Sequence, residues 1–207
     1  GQTLAAGGGG MVARSGHLGV ESATHQKGKG GILKAVKRMF AGESFFMNHF
    51  SATDRGGEVW LGSTLAGDML RYTLDNETLI VQSGSFVASE HGVGLDTGWQ
   101  GFKNFLSGES LFWLRLSGRG QVILGAFGAI YPVEVDGEYI VDTGHIVAFS
   151  ETLEFTLTKA GKSWISSLLG GEGLVCKFHG RGTVWCQSHN PGSFGSNLGG
   201  FLKPRRA

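Results

Sequence analysis

Three acidic residues occupy matching places in a pattern that the sequence repeats. Glu43, Glu109 and Glu172 each follow a glycine, at intervals of 66 and 63 residues. Carboxylates that a threefold fold brings together could bind a cation or another ligand on its axis. Duplication alone also repeats a residue without giving it a function, and an acid directly after a helix-ending glycine can accept hydrogen bonds from turn amides. The sequence therefore favours a structural role for these acids.

Positive charges cluster in the first third of the chain. Lys34, Lys37 and Arg38 fall on one side of a predicted helix, and Lys27 and Lys29 precede it. With apolar residues beneath, this helix could lie on an anionic membrane surface or contact a nucleic-acid backbone. The matching segments further along the chain carry fewer charges, which favours an ordinary solvated helix face. The three residues on the helix are the candidate binding site.

Patterns typical of metal sites, cofactors and catalysis are absent from the sequence. No two of the seven histidines are two residues apart, and the cysteine and histidine spacings do not match zinc sites. Gly161–Ser163 resembles the end of a phosphate-binding loop, but Thr156 stands where that loop needs a glycine. No nucleophile elbow and no dinucleotide fingerprint occur. We therefore predict no metal, no cofactor and no enzymatic activity, with His17 and His145 in turns or at the surface.

The two cysteines flank a predicted hairpin turn. Cys176 and Cys186 lie on either side of residues 179–182, so they could be cross-strand neighbours and form a disulfide. The alternative is a pair of reduced, buried thiols, as is usual in an intracellular protein. The sequence favours the reduced thiols.

Three landmarks recur in the same order along the chain, and they predict how the elements that position these residues are organised. Such internal repetition predicts one domain of three repeats, 1–66, 67–127 and 128–190, followed by a C-terminal tail, 191–207. A unit of this size buries its apolar face poorly alone, which favours one shared core. Copies of the first landmark are Gly9–Ala13, Gly84–Ala88 and Gly144–Ala148; those of the third are Gly57–Gly62, Gly120–Gly125 and Gly182–Cys186.

Each repeat is predicted to contain about five short strands and one short helix. In the second repeat, strands are predicted at Leu70–Leu74, Thr78–Gln82 and Ser85–Ala88, with a turn at Asp75-Asn76. A glycine-rich loop (92–98), a helix (102–108) and a hairpin with its turn at 117–120 follow. The other helices are predicted at Ile32–Phe40 and Trp164–Leu169, and the tail is read as a Gly/Ser-rich segment. The predicted fold is mainly β, with barrel-like or sandwich units around a pseudo-threefold axis.

Composition limits the function classes. The chain is 41% hydrophobic and 17% charged, has 37 glycines, and carries a net charge of +1. That charge is too mild to indicate nucleic-acid binding by itself, and low charge points to sheltered surface in an oligomer. The longest apolar run, 122–133, is short of the roughly 18 residues of a membrane helix, and no secretion signal opens the chain. We expect residues before Gly1, because the first repeat lacks the strand-like run that precedes the others.

Several segments resemble a known family. These segments are Gly9–Ala13 with its copies, Leu33–Asn48, Gly171–Phe178 and Gly182–Pro191. Together they resemble the mitochondrial-biogenesis (altered inheritance of mitochondria) family, which is shared by bacteria, archaea and mitochondria and is of unknown function. The resemblance implies three units similar to the tryptophan RNA-binding attenuation protein, a short double-stranded β-helix, and homo-oligomers such as trimers. It transfers no catalytic residues, and His189 stands where the family pattern leads us to expect an arginine.

Two functional hypotheses follow. The leading one is a non-enzymatic structural or assembly protein, a self-associating β scaffold with other proteins as further partners. The alternative is a module that binds a small ligand or nucleic acid, by analogy with the attenuation protein. We expect a cytoplasmic location if the chain is prokaryotic and a mitochondrial one if it is eukaryotic.

Overall fold

The computed structural model describes residues 2–24, 46–97, 113–159 and 174–202. The predicted helices at Ile32–Phe40, 102–108 and Trp164–Leu169 lie outside these residues. The described part contains strands β1 to β13, two short 3₁₀ turns (Ser83–Ser85 and Thr143–His145) and one helix, α1 (Pro191–Gly199). The strands are β1 (Thr3–Gly7), β2 (Met11–Arg14), β3 (Gly19–Thr24), β4 (Phe46–Ser51), β5 (Val59–Leu61), β6 (Met69–Gln82), β7 (Phe86–Glu90), β8 (Val93–Asp96), β9 (Trp113–Gly125), β10 (Ile130–Asp142), β11 (Ile146–Ser150), β12 (Glu154–Lys159) and β13 (Leu174–Gln187). The prediction of a mainly β fold is confirmed.

Eleven of these strands form one large antiparallel sheet. Its order is β10-β13-β11-β6-β9-β7-β1-β4-β3, with β12 added to β13 and β8 added to β9. Strands β2 and β5 form a separate two-stranded sheet. For description, we call β1–β5 the first set, β6–β9 the second set and β10–β13 the third set.

Two long ribbons, β6 with β9 and β10 with β13, bend where the sequence predicts hairpins. Strands β9 and β13 run without interruption through 117–120 and 179–182, so the predicted turns there are wrong. Gly118 (φ 112°) and Gly180 (φ 106°) lie in the left-handed region, which glycine adopts at little cost, and the strand changes direction without reversing. Their partner strands bend at Asn76 (φ 59°) and Gly137 (φ 108°). The predicted turn at Asp75-Asn76 is therefore a bulge within β6.

The second and third sets share one pairing scheme. In each set, a short strand pairs with the C-terminal part of the second strand of the long ribbon: β7 pairs with β9, and β11 pairs with β13. Each short strand has a one-residue bulge, at Val87 and at Val147, because the residues on either side of it face consecutive residues of the partner. In the first set, β2 pairs with β5 with the same kind of bulge at Val12. The three bulges fall at the same place in the three copies of the first landmark.

Buried side chains from all three sets pack together. One apolar cluster includes Met47 of β4, Leu116 of β9 and Trp185 of β13. A second cluster lies in the third set and is centred on Phe149, whose ring makes edge-on contacts with Phe155 and Phe178. Complete burial of each large apolar side chain contributes about 1.5–3 kcal/mol, so these clusters stabilise the sheet that positions the loops described below.

Two segments differ from the sequence prediction. The glycine-rich loop predicted at 92–98 contains β8, which pairs with β9. The tail predicted to be Gly/Ser-rich contains α1, with Pro191 in its first turn and Asn190 at its N-cap, accepting a hydrogen bond from the Ser193 amide at 3.1 Å. Five of its nine residues are glycine or serine and gave little helical signal, whereas the capping asparagine and following proline are typical of a helix start.

Candidate functional site

The residues singled out from the sequence for binding lie outside the described part of the structure. This applies to the basic residues Lys34, Lys37 and Arg38 and to the three landmark acids, Glu43, Glu109 and Glu172. The candidate sites below therefore come from features that the sequence did not single out.

An open cleft of about 330 Å³ lies where the first and second sets meet. The β1–β2 loop, the loop after β5 and the 3₁₀ turn before β7 form its walls. The Gly62 amide donates to the Gly10 carbonyl at 2.9 Å and holds the first two loops together. The lining residues are Gly7, Gly8, Gly10, Gly62, Ser63, Thr64, Ser83, Gly84, Phe86 and Val87.

The chemistry of this cleft is that of backbone amides, carbonyls and hydroxyls. None of its lining residues has an ionisable acid, base or histidine side chain. Such a surface can hydrogen-bond a small neutral polar group, and its volume is at the small end of ligand pockets. It offers neither a general acid nor a general base within its walls. The sequence marked this place only by its glycine run, which we interpreted as structural.

In the third set, the chain's own side chains occupy the corresponding place. The turn Thr143–His145 corresponds to Ser83–Ser85, and Gln187 stands at the end of β13 where Gly125 ends β9. Gln187 is 2% exposed. Its Nε2 donates to the Gly144 carbonyl at 2.9 Å, and its Oε1 accepts from the Phe127 amide at 2.8 Å. One buried carboxamide thus links β13 to the turn and to the loop after β9.

Residues 188–190 extend this network. The Ser188 hydroxyl accepts from the Ala129 amide at 2.9 Å and lies 2.8 Å from His189 Nδ1. The side-chain amide of Asn190 packs so closely against Gly144 that a Cβ on Gly144 would collide with it. Asn190 Nδ2 also donates to Asp142 at 3.3 Å. The Gln-Ser-His-Asn segment therefore joins loops, and its side chains are engaged in structural contacts.

Histidine positions agree with the sequence interpretation. His145 Nδ1 lies 2.8 Å from the Gln187 carbonyl, and exposed His17 lies 2.8 Å from the Gly56 carbonyl through Nε2. Both are in turns or at the surface, as predicted. Among the described residues, no group of three His, Cys, Asp or Glu side chains could hold a metal ion.

The two thiols are free, buried and far from a disulfide arrangement. Cys176 and Cys186 lie on the same strand, β13, so the cross-strand alternative does not occur, and the favoured interpretation as free, buried thiols agrees with the structure. Cys176 faces Val141 and Leu157, whereas Cys186 faces Tyr131 and Ile146. Burial raises the pKa of Cys176 to about 12 and that of Cys186 to about 11. Both are therefore thiols at neutral pH, which makes them poor nucleophiles.

Large apolar side chains are exposed along two strand edges. On β2, Met11 is 43% and Val12 is 69% exposed, and on β10, Tyr139 and Ile140 are 46% and 53% exposed. Among the described strands, β10 lies at the end of the large sheet, and β2 pairs only with β5. Natural proteins usually cover or charge such edges, because unpaired backbone groups beside apolar side chains recruit further strands.

Comparison with known proteins gives a match along nearly the whole chain. A family model described as mitochondrial biogenesis AIM24 matches residues 1–189. An uncharacterized protein of Streptococcus pyogenes serotype M6 is 26% identical over 200 residues, covering 94% of this chain and 80% of the relative. The crystal structure of a Streptococcus pyogenes protein is similar with a TM-score of 0.80 at 25% identity, covering 98% of this chain and 90% of that one. Within the described residues, no helix is long and apolar enough to cross a membrane.

Proposed function

The chain belongs to the mitochondrial biogenesis AIM24 family, and from this premise we propose that it is a non-enzymatic structural protein, a β scaffold that self-associates. The observation that carries the proposal is a pair of strand edges, on β2 and β10, that no other described strand pairs with and that carry large apolar side chains in solvent. Burying such edges against another chain removes apolar area from water and satisfies backbone hydrogen bonds. As part of the same proposal, we place the protein in the cytoplasm of a prokaryotic cell.

The proposed scaffold is built from three repeats of one β unit, 1–66, 67–127 and 128–190. The shared pairing scheme of the three sets supports this division, as do the bulges at Val12, Val87 and Val147. The exposed ion pairs that cross the bends support it as well: Arg119 with Asp75, and Arg181 with Asp136, occupy matching places in their ribbons. A likeness to the attenuation-protein unit is part of this proposal.

Self-association is tested by molar mass in solution. We expect size-exclusion chromatography with light scattering to give one discrete oligomer, with a trimer as the expected form. The mass should stay constant over a roughly tenfold dilution that starts at micromolar concentration, where stable interfaces persist. Ile140→Lys should shift the protein towards monomer, because a charge cannot be buried unpaired at an apolar interface. Tyr131→Lys is the matched control, since this residue is similarly exposed on β10 but lies at the opposite end of the strand from Tyr139 and Ile140. A wild-type monomer throughout the series contradicts the proposal.

A second candidate function is binding of a small polar molecule in the cleft. The observation that favours it is the third set, where the corresponding turn carbonyl at Gly144 is met by the Gln187 carboxamide. A free molecule with a carboxamide or hydroxyl group could meet the turn at Ser83–Ser85 in the same way. Nucleic acid or an anionic membrane at Lys34, Lys37 and Arg38 remains a separate prediction.

Thermal unfolding with a panel of amides, amino acids and polyols tests the cleft. A true ligand at 100 times its Kd stabilises the fold by about 2.7 kcal/mol. Gly84→Leu should abolish that shift, because a Cβ at Gly84 has no atom within 4 Å and would extend into the cleft. Gly16→Leu adds the same side chain at an open position away from the cleft and should keep the shift. If Gly84→Leu leaves the shift unchanged, the molecule binds elsewhere.

A further inference from the structure

Two strand pairings join neighbouring sets, and they share one register. Between the first and second sets, β1 pairs with β7, with Leu4, Ala5 and Ala6 opposite Glu90, Ser89 and Ala88. Between the second and third sets, β6 pairs with β11, with Leu79, Ile80 and Val81 opposite Ser150, Phe149 and Ala148. In both cases the first strand of one set, which we call its leading strand, pairs with a strand of the next set along the chain. That second strand carries the first sequence landmark, and we call it the landmark strand.

The third pairing of this series is not made among the described strands. Strand β10 is the leading strand of the third set, and it pairs with β13 but not with a landmark strand on its other side. Strand β2 is the landmark strand of the first set, and it pairs with β5 but not with a leading strand. The two open edges therefore correspond to the two strands of a pairing that occurs twice elsewhere in the molecule.

Side-chain burial identifies these edges as interface surface. Val12 is 69% exposed, whereas its counterparts Val87 and Val147 are 4% and 0% exposed in the paired strands. Ile140 is 53% exposed, whereas its counterpart Ile80 is fully buried beneath β11. The sequence thus keeps large apolar residues at positions that become a core wherever the pairing is made.

We propose that the β10 edge of one copy pairs with β2 of a second copy, antiparallel and in the register that the chain already uses twice. This places Tyr139, Ile140 and Val141 opposite Ser15, Arg14 and Ala13 of the second copy. The same register sets Arg14 diagonal to Glu138, whose carboxylate is 48% exposed and pairs with Lys177 of β13 at 2.8 Å, so Arg14 would join an existing ion pair. The inference rests on the proposed self-association and names its contact.

A second copy is the occupant because no strand in the described part of the chain covers either edge. Strand β10 ends one sheet and β2 belongs to another, so the described residues do not join the two edges within one molecule. Pairing between copies uses two different patches, and such a head-to-tail contact generates a closed ring or a filament. The interface then continues the series of internal pairings from one copy to the next.

Cross-linking between two single variants tests the register. Arg14→Cys and Ile140→Cys both change exposed residues, and directly opposed strand residues have Cβ atoms about 4.5–5.5 Å apart, close to the span of a disulfide. Under mild oxidation, we expect an equimolar mixture of the two variants to give a heterodisulfide dimer at roughly ten times the yield of a control mixture. The control combines Arg14→Cys with Tyr131→Cys, which is equally exposed on β10 but out of register. Native Cys176 and Cys186 are buried and do not compete.

The outcomes separate this inference from the proposed function. A heterodisulfide in the mixture supports the inference. An oligomer without that heterodisulfide overturns the inference and leaves self-association standing, because the copies then meet elsewhere. A chain carrying both substitutions that forms its disulfide only within a monomer overturns it as well, since the edges then close on themselves. A wild-type monomer at all concentrations removes both proposals.

Discussion

Replacing Gln187 by Met should lower the free energy of unfolding by about 2–5 kcal/mol, because two buried backbone groups lose their partners at once. The Gly144 carbonyl and the Phe127 amide both bond to the Gln187 carboxamide, which is 2% exposed. Methionine has nearly the same length and volume but provides no comparable donor or acceptor. Urea unfolding followed by tryptophan fluorescence would measure the loss.

Gln121→Met is the matched control for this change. Gln121 also bonds through its carboxamide, accepting from the Thr73 hydroxyl at 3.0 Å, but that bond is exposed to solvent. Water replaces the lost partner there, so the expected change is within about 0.5 kcal/mol. Equal destabilisation by the two variants would mean that the polar network around Gln187 contributes no more than a surface hydrogen bond.

Gln187→Glu separates hydrogen bonding from charge at the same position. The introduced carboxyl keeps an acceptor for the Phe127 amide, and when protonated it also keeps a donor for the Gly144 carbonyl. Burial disfavours the charged form, so its pKa in the folded protein should lie above the value of about 4.3 in the unfolded chain. Below that unfolded value the variant should approach wild-type stability, and the deficit should grow as the pH rises above it. A deficit that is constant with pH would show that the donor to Gly144 is not what matters.

The repeated landmarks predict much of the fold correctly, because they coincide with strands whose side chains alternate into a core. Thr78–Gln82 is part of β6, and the apolar copies at Phe86 and Ile146 begin β7 and β11. The Gly-Arg-Gly segments at 118–120 and 180–182 could not be read correctly from local sequence. Glycine at positive φ serves a reversing turn and a bend in a continuous strand equally well, and the partner strands β6 and β10 decide between them.

The polar network shows a second limit of the sequence. The Gln-Ser-His-Asn segment is recognisable as a family pattern, but a pattern of polar residues does not tell whether they face a substrate or the chain itself. In the structure, Gln187 bonds to the turn at Thr143–His145, and Asn190 donates to Asp142, whose carboxylate accepts from the Gly144 amide of that turn. The cleft was invisible for the opposite reason, because a site made of glycine backbone and hydroxyls contains no chemically distinctive side chain.

The glycine at the bend of β9 should be far less tolerant of substitution than the glycine at the bend of β10. Gly118 (φ 112°) and Gly137 (φ 108°) have nearly the same left-handed φ angle. A Cβ at Gly118 would lie 2.5 Å from the Gly92 carbonyl oxygen, whereas a Cβ at Gly137 would meet no atom within 4 Å. Gly137→Ala should therefore cost about 1–3 kcal/mol, from the left-handed conformation alone.

Gly118→Ala carries the same strain and, in addition, forces the backbone before β8 away from β9, for a total of about 2–6 kcal/mol. The Arg119 amide donates to the Gly92 carbonyl at 3.2 Å, so this bond should open first. Hydrogen exchange at Arg119 should accelerate in Gly118→Ala and stay close to wild type in Gly137→Ala, where the β8–β9 contact is untouched. If both variants lose the same stability and Arg119 exchanges equally in each, then β8 does not restrain the bend, and the left-handed glycine alone sets the path of the strand.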